Sequence, residues 1–309
     1  ASAGTTSAGL AIGGSVPAAT AVTEEWLGPG QPVGAWSTGG SLNTARNYIA
    51  GAGASNTAAL GFSGSPATAI TESYNGSAWT EVNDMNSARE IVTGIGTQTS
   101  ALGVGGIPPS ALNESWNGTS WTEVGDLNTA RYGSGGAGVD NTSALAFGGT
   151  AGAVTGVTES WNGTSWTELN DLNTARDFLG GAGTQTSALG FGGESTPSFL
   201  TAAESWNGTS WTSVASLNTG RNGVFSAGAD NTSALCSGGN APPVSALTEE
   251  WNGSSWTETT DLNTARYIGG SGGIASSAIN FGGSAAPAAS AATEEWNNPS
   301  NVIKVITTS

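Results

Sequence analysis

Residues 159–193 read ESWNGTSWTELNDLNTARDFLGGAGTQTSALGFGG, and most of the chain is this line written again. Its first aromatic returns as Trp26, Tyr74, Trp116, Trp161, Trp206, Trp251 and Trp296, and its second as Trp36, Trp79, Trp121, Trp166, Trp211 and Trp256. Every arginine occupies one repeat position: Arg46, Arg89, Arg131, Arg176, Arg221 and Arg266. Glycine pairs recur at Gly13-Gly14, Gly105-Gly106, Gly148-Gly149, Gly192-Gly193, Gly238-Gly239 and Gly282-Gly283, with Ser63-Gly64 as the variant. First aromatics lie 42 to 48 residues apart, the spacing of four-stranded propeller blades.

Each copy carries four short strand signals, a to d. Strand a follows the Arg, as in Asp177 to Gly183, and is rich in Gly and Ala; strand b is the Thr-Ser-Ala-Leu-Gly-Phe run ending at the Gly pair. Strand c is Thr-Glu-Ser-Trp, and strand d opens with the second Trp. Between c and d stands Asn-Gly, a hairpin signal because type I′ turns need positive φ at both central residues. With the four-residue loop Asn117 to Ser120, Trp116 and Trp121 face each other; a two-residue loop would shift the pairing, and both readings remain open. Small residues place strand a innermost, around a crowded central axis, and the Trp-bearing hairpin outermost.

Seven copies predict an all-β, seven-bladed propeller with four-stranded antiparallel blades at about 1–40, 41–85, 86–127, 128–172, 173–217, 218–262 and 263–309. The ends are incomplete. The first strand a shrinks to about Ala1 to Gly4, and Asn301 to Ile306 stands where the last strand d belongs but lacks its Trp. Closure is therefore expected between first and last blades through side-chain packing rather than a shared strand. The step from Arg to Gly-Gly alternates between 18 and 17 residues, the longer form holding Asp140-Asn141-Thr142 and Asp230-Asn231-Thr232, as duplication of a two-blade unit would produce.

The order of these landmarks, Gly-Gly ending b, an aromatic on c, Trp opening d and Arg before the next a, resembles the kelch motif over the whole chain. Kelch resemblance implies a propeller, usually with a binding role, although the copper-dependent galactose oxidases share it. The near-identical Thr-, Asn- and Gly-rich copies look like those of phage and environmental bacterial surface proteins.

Composition narrows the functional classes. Of 309 residues, 37% are hydrophobic and 10% charged, so twelve Trp carry much of the burial; hiding one ring removes roughly 150–250 Å² from water. A net charge of −16, with seven basic residues including the single Lys304, repels a phosphate backbone and argues against nucleic acid. Cys236 is the only cysteine, so no internal disulfide forms. No apolar run of about 18 residues spans a membrane, and no signal-peptide pattern is present. The sequence opens at Ala1 rather than Met, which suggests that a leader or larger N-terminal part has been removed.

With no histidine in the chain, Ser-His-Asp, Cys-His and imidazole metal sites are excluded, galactose-oxidase copper included. No cofactor is expected. Glu72, Glu114, Glu159 and Glu204 share one repeat slot, and Asp84, Asp126, Asp171 and Asp261 another. Residues demanded in every blade serve structure before catalysis. Asp and Arg are read as loop-fixing hydrogen bonders with ion pairs between blades. Asn-X-Ser/Thr at Asn75, Asn117, Asn162, Asn207, Asn252, Asn141 and Asn231 formally invites glycosylation, but the turn explains most of these. The Gly pairs precede no helix, against a phosphate loop.

Strand order places the b-to-c and d-to-a loops on one face and the a-to-b and c-to-d turns on the other. The c-to-d turns hardly vary, apart from the longer Leu27 to Ala35, whereas the b-to-c loops do, at Ile107-Pro108-Pro109, Ala151 to Gly156, Ser195 to Leu200 and Ala241-Pro242-Pro243. The residue after each Arg also varies: Asn47, Glu90, Tyr132, Asp177, Asn222 and Tyr267. This ring is the candidate ligand-binding site at the channel mouth, its side chains suited to polar groups and sugar faces. The expected function is a non-enzymatic adhesive, receptor-binding or decorating module outside a cell or on a virion, such as a phage tail fibre. Its partner would be a protein or glycan on a cell or virion surface, within a larger assembly. A secreted lectin-like domain is the alternative, and a glycan-active enzyme using Glu90 and Asp177 the third reading.

Overall fold

The computed structural model describes residues 2–5, 8–16, 18–26, 34–285 and 288–298, with backbone alone up to residue 26. The expected strand d at Asn301 to Ile306, Lys304 and most of the Leu27 to Ala35 loop lie outside these residues.

Among the described residues six four-stranded antiparallel sheets form a closed ring, each in the order a-b-c-d. Blade I comprises Ala50–Ser55, Ala58–Phe62, Thr71–Tyr74 and Trp79–Val82. Blade II comprises Thr93–Thr97, Ser100–Val104, Asn113–Trp116 and Trp121–Val124. Blade III holds Gly135–Asp140, Ser143–Phe147, Thr158–Trp161 and Trp166–Glu168. Blade IV holds Gly180–Thr184, Ser187–Phe191, Ala203–Trp206 and Trp211–Val214, and blade V Phe225–Asp230, Ser233–Ser237, Thr248–Trp251 and Trp256–Glu258. Blade VI is assembled from both ends of the ring: Gly270–Ile274, Ser277–Phe281 and Thr293–Asn297, completed by Ala35–Gly39.

That last pairing corrects the expected blade count. Ala35–Gly39 pairs antiparallel with Thr293–Asn297, setting Trp36 opposite Trp296, and strand a of blade VI packs against strand a of blade I. A shared strand thus closes the ring, where side-chain packing alone was expected. Having given up its strand d, the first repeat is left with Ser2–Thr5, Ala8–Val16 and Ala18–Trp26, a separate three-stranded sheet. Among the described residues it pairs with no strand of the ring, which there counts six blades where seven were expected.

The c-to-d hairpins resolve to the four-residue loop: Trp116 pairs with Trp121, and their ring centroids lie 5.4 Å apart. Each turn is fixed by its Asn; the Asn117 Oδ1 accepts from the backbone N–H groups of Thr119 and Ser120. The two-blade alternation has a structural cause. Blades I, III and V, which carry the longer Arg-to-Gly-Gly step, each accommodate the extra residue as a register shift between strands a and b.

Blades are joined by side chains that reach back to the preceding blade. The Asn141 Nδ2 donates to the Ser115 Oγ and the Trp116 carbonyl at 2.9 and 3.0 Å, and Asn231, Gln185, Gln98 and Asn56 make the corresponding bond to Trp206, Trp161, Tyr74 and Trp296. The second Trp of four blades donates its Nε1–H to a strand-c Thr of the blade before: Trp36 to Thr248, Trp79 to Thr293, Trp121 to Thr71 and Trp211 to Thr158. Trp166 and Trp256 have buried Nε1 groups with no partner, because the facing Thr position holds Asn113 in blade II and Ala203 in blade IV. Inner strands crowd the axis as expected: a Cβ on Gly181 would lie 2.5 Å from the Gly136 carbonyl oxygen.

The recurrent arginines also need correction. Each pairs with the Glu of strand c within its own blade, not with the Asp slot and not across blades, from Arg46–Glu72 at 2.8 Å to Arg131–Glu159 at 3.3 Å. The set is completed by Glu249 and Glu294, on Arg221 and Arg266. The Glu159 Oε2 accepts from the Asn128 backbone N–H and Nδ2, so one buried carboxylate fixes both the arginine and the incoming loop. Burial pulls the Arg131 guanidinium below its ordinary pKa, opposed by Glu159. The Asp slot has a smaller task, Asp84 Oδ1 accepting from the Thr71 N–H.

Candidate functional site

The two kinds of loop predicted to share a face do meet. Each post-Arg residue forms a bridge with the residue after its blade's Gly pair: Asn47 with Ser65, Glu90 with Ile107, Tyr132 with Thr150, Asp177 with Glu194, Asn222 with Asn240, Tyr267 with Ser284. The six post-Arg residues therefore occupy equivalent positions around one face, one to a blade.

One residue further along, a second ring lines the mouth itself. Tyr48, Ile91, Gly133, Phe178, Gly223 and Ile268 all have φ between 48° and 65°. Such a backbone is uncommon for bulky side chains, and costs of order 1–3 kcal/mol where the surroundings impose it. The surroundings here are backbone hydrogen bonds running from blade to blade: Phe178 N–H to the Gly133 carbonyl, Gly223 to Phe178, Ile268 to Gly223 and Tyr48 to Ile268, at 2.7 to 2.8 Å. These residues line a cavity of about 120 Å³ above the Gly- and Ala-lined channel. Sequence reading missed this inner ring, since Tyr, Ile and Phe do not announce a left-handed backbone.

The outer ring is chemically uneven. Only in blade IV does the bridge bring two carboxylates together, Asp177 and Glu194 exchanging both backbone hydrogen bonds at 3.0 and 2.9 Å. Residues paired in this way hold their side chains on the same side of the strands. Asp177 is 5% exposed, and its Oδ2 accepts from the Thr150 hydroxyl of blade III at 2.5 Å. The Asn222 Nδ2 of blade V donates to the Glu194 Oε2 at 2.7 Å. Burial raises the pKa of Asp177; Glu194 is raised by burial and then by the Asp177 charge. Two acceptor oxygens, Asp177 Oδ1 and Asn222 Oδ1, are buried with no hydrogen-bond partner. Tyr132, bridged to Thr150, and Phe178, next to Asp177 in the chain, meet edge-on with ring centroids 6.3 Å apart.

Glu90 lies in blade II, bridged to Ile107, and so is not brought to Asp177. Glu194, the partner that Asp177 does have, was missed although one comparison reveals it: no other blade has an acid directly after its Gly pair. Cys236 is fully buried beside Arg221, and burial pushes its thiol up to about 11. No group of three potential metal-ligating residues gathers among the described residues.

A ring of four-stranded antiparallel blades around a channel, with its variable residues on one face, defines a β-propeller. The solved structure of YjhT is similar to it, with a TM-score of 0.68 and 15% sequence identity over 86% of this chain and 99% of that one. At that identity the likeness speaks for the fold alone. No protein-family model matches the chain, and no curated protein does.

Proposed function

We propose that this propeller is a non-enzymatic recognition module of the kelch type, serving as an adhesive, receptor-binding or decorating element outside a cell or on a virion surface, as in a phage tail fibre. One observation carries the reading: within near-identical repeats, chemical variety collects on the face around the channel mouth, where Glu90, Tyr132, Asp177, Asn222 and Tyr267 stand in equivalent positions, while the opposite face repeats one Asn-capped turn. Uniform positions hold the scaffold together and variable ones are free to meet a partner. A glycan-binding, lectin-like role is the second reading, favoured by Tyr132, Phe178 and Tyr267 beside hydrogen-bonding side chains. Labelled protein applied to a glycan array and to bacterial cells tests both. Binding should fall with Glu90→Ala, Tyr132→Ala and Tyr267→Ala combined and persist with Thr119→Ala, Thr164→Ala and Thr209→Ala on the far face; the reverse pattern would refute the assignment.

A further inference from the structure

Resting on the recognition face just described, we infer that the Asp177–Glu194–Asn222 cluster is a binding site for a primary ammonium group, carried on a small polar body such as a 2-amino sugar. Three blades contribute. Thr150 of blade III donates to Asp177, Asp177 and Glu194 bridge within blade IV, and Asn222 of blade V donates to Glu194. These bonds leave an inventory of acceptors. Asp177 Oδ1 and Asn222 Oδ1 are buried and unpartnered, and only one oxygen of Glu194 is bonded to Asn222.

Buried polar groups in folded proteins are nearly always paired, and like charges directly across a bridge are destabilising. Both costs fall at one place on the ring, the like charges on the blade IV bridge and the unpartnered oxygens on Asp177 and its blade V neighbour Asn222, while the bridges of Asn47 with Ser65 and Tyr132 with Thr150 carry neither. A single ligand offsets both costs if it brings positive charge and several N–H donors. An alkylammonium has three donors and one charge, matching three free acceptors. A divalent cation fits less well, since calcium takes about six to eight oxygens and no third acid joins the pair among the described residues. The edge-on rings of Tyr132, bridged to Thr150, and Phe178, next to Asp177 in the chain, would offer the ligand's less polar face a surface and its charge a cation–π partner.

Calorimetric or NMR titration of the intact chain with glucosamine, N-acetylglucosamine and cadaverine reads this directly. Glucosamine should bind and N-acetylglucosamine, which lacks the charge, should bind at least about tenfold more weakly. Cadaverine binding as tightly as glucosamine would keep the ammonium site but assign the body to an alkyl amine such as a lysine side chain. Asp177→Asn and Glu194→Gln should each weaken binding about tenfold or more with the circular dichroism spectrum unchanged, and Glu168→Gln, on the exposed strand d of blade III, should leave it intact. No amine binding, equal binding of the acetylated sugar, or calcium binding that amines cannot displace would overturn the inference. In the first case, array or cell binding that still depends on Tyr132 and Tyr267 would leave the recognition face standing without this ligand.

Discussion

Removing the Glu159 carboxylate tests whether the repeated Arg–Glu pair holds each blade to its incoming loop. Glu159 and Arg131 are both 0% exposed, and the carboxylate also accepts from Asn128 N–H, Asn128 Nδ2 and Thr129 N–H at 2.7, 2.8 and 3.2 Å. Glu159→Ala strands a buried guanidinium, which costs about 3–5 kcal/mol, and orphans loop donors worth about 1 kcal/mol each. These losses overlap, so about 4 kcal/mol is expected, a large part of the roughly 5–15 kcal/mol that stabilises most domains. At about 2 °C per kcal/mol for a chain of this size, the melting temperature should fall by about 8 °C. Glu168→Ala, on the exposed strand d of the same blade, should change it by under about 1 °C. Replacing both partners, Arg131→Met with Glu159→Leu, should recover much of the loss, because no charge is left buried. A Glu159→Ala protein melting within about 1 °C of the parent would refute the reasoning.

Three further outcomes follow from particular contacts. Ala203→Thr supplies the hydroxyl that Trp256 Nε1 lacks, as Thr248 does for Trp36 at 3.1 Å, and should raise stability by about 1 kcal/mol in urea unfolding; a loss of stability would mean that the site has no room for it. Because burial raises Asp177 and Glu194 above their ordinary pKa values, the folded chain holds more protons than the unfolded one in the window just above those values, so their contribution to stability falls as pH rises through it. Asp177→Asn should therefore flatten the urea midpoint between about pH 4 and pH 7 and leave the protein at least as stable at neutral pH; a steeper pH profile would contradict the burial argument. Cys236, with its thiol pushed up to about 11, should resist maleimide in the folded chain and react only once unfolded, and rapid native labelling would place it elsewhere.

The repeat made strand order, hairpin register and inner-strand composition legible, because Trp, Asn-Gly and Gly-Gly each impose a local geometry. Blade count was not legible by the same means. Trp36 looks alike whether it faces Trp26 or Trp296, and only the paired backbone of Glu295 and Ser37 decides. The arginine's partner was legible only from a full count, since the Glu slot is filled in all six blades and the Asp slot in four, with Ser41 and Ser216 in the other two; burial, not spacing, selects Glu. At the candidate site the post-Arg ring was visible as variation, whereas Asp177 and Glu194 became a pair only when loops 17 residues apart in sequence met on one face.

Ring closure underlies all of this, since it sets the number of residues around the mouth. In a Cys236→Ala background, Ser37→Cys with Glu295→Cys should form an intramolecular disulfide under mild oxidation, identified as a linked peptide by mass spectrometry, because residues 37 and 295 are cross-strand partners in blade VI. A seven-bladed ring would instead leave Ser37 beside Glu25, the equivalent residue of the first repeat. Linkage of the 37/295 pair and none of a 37/25 pair is the predicted result; efficient linkage of 37 to 25 alone would contradict the six-bladed ring.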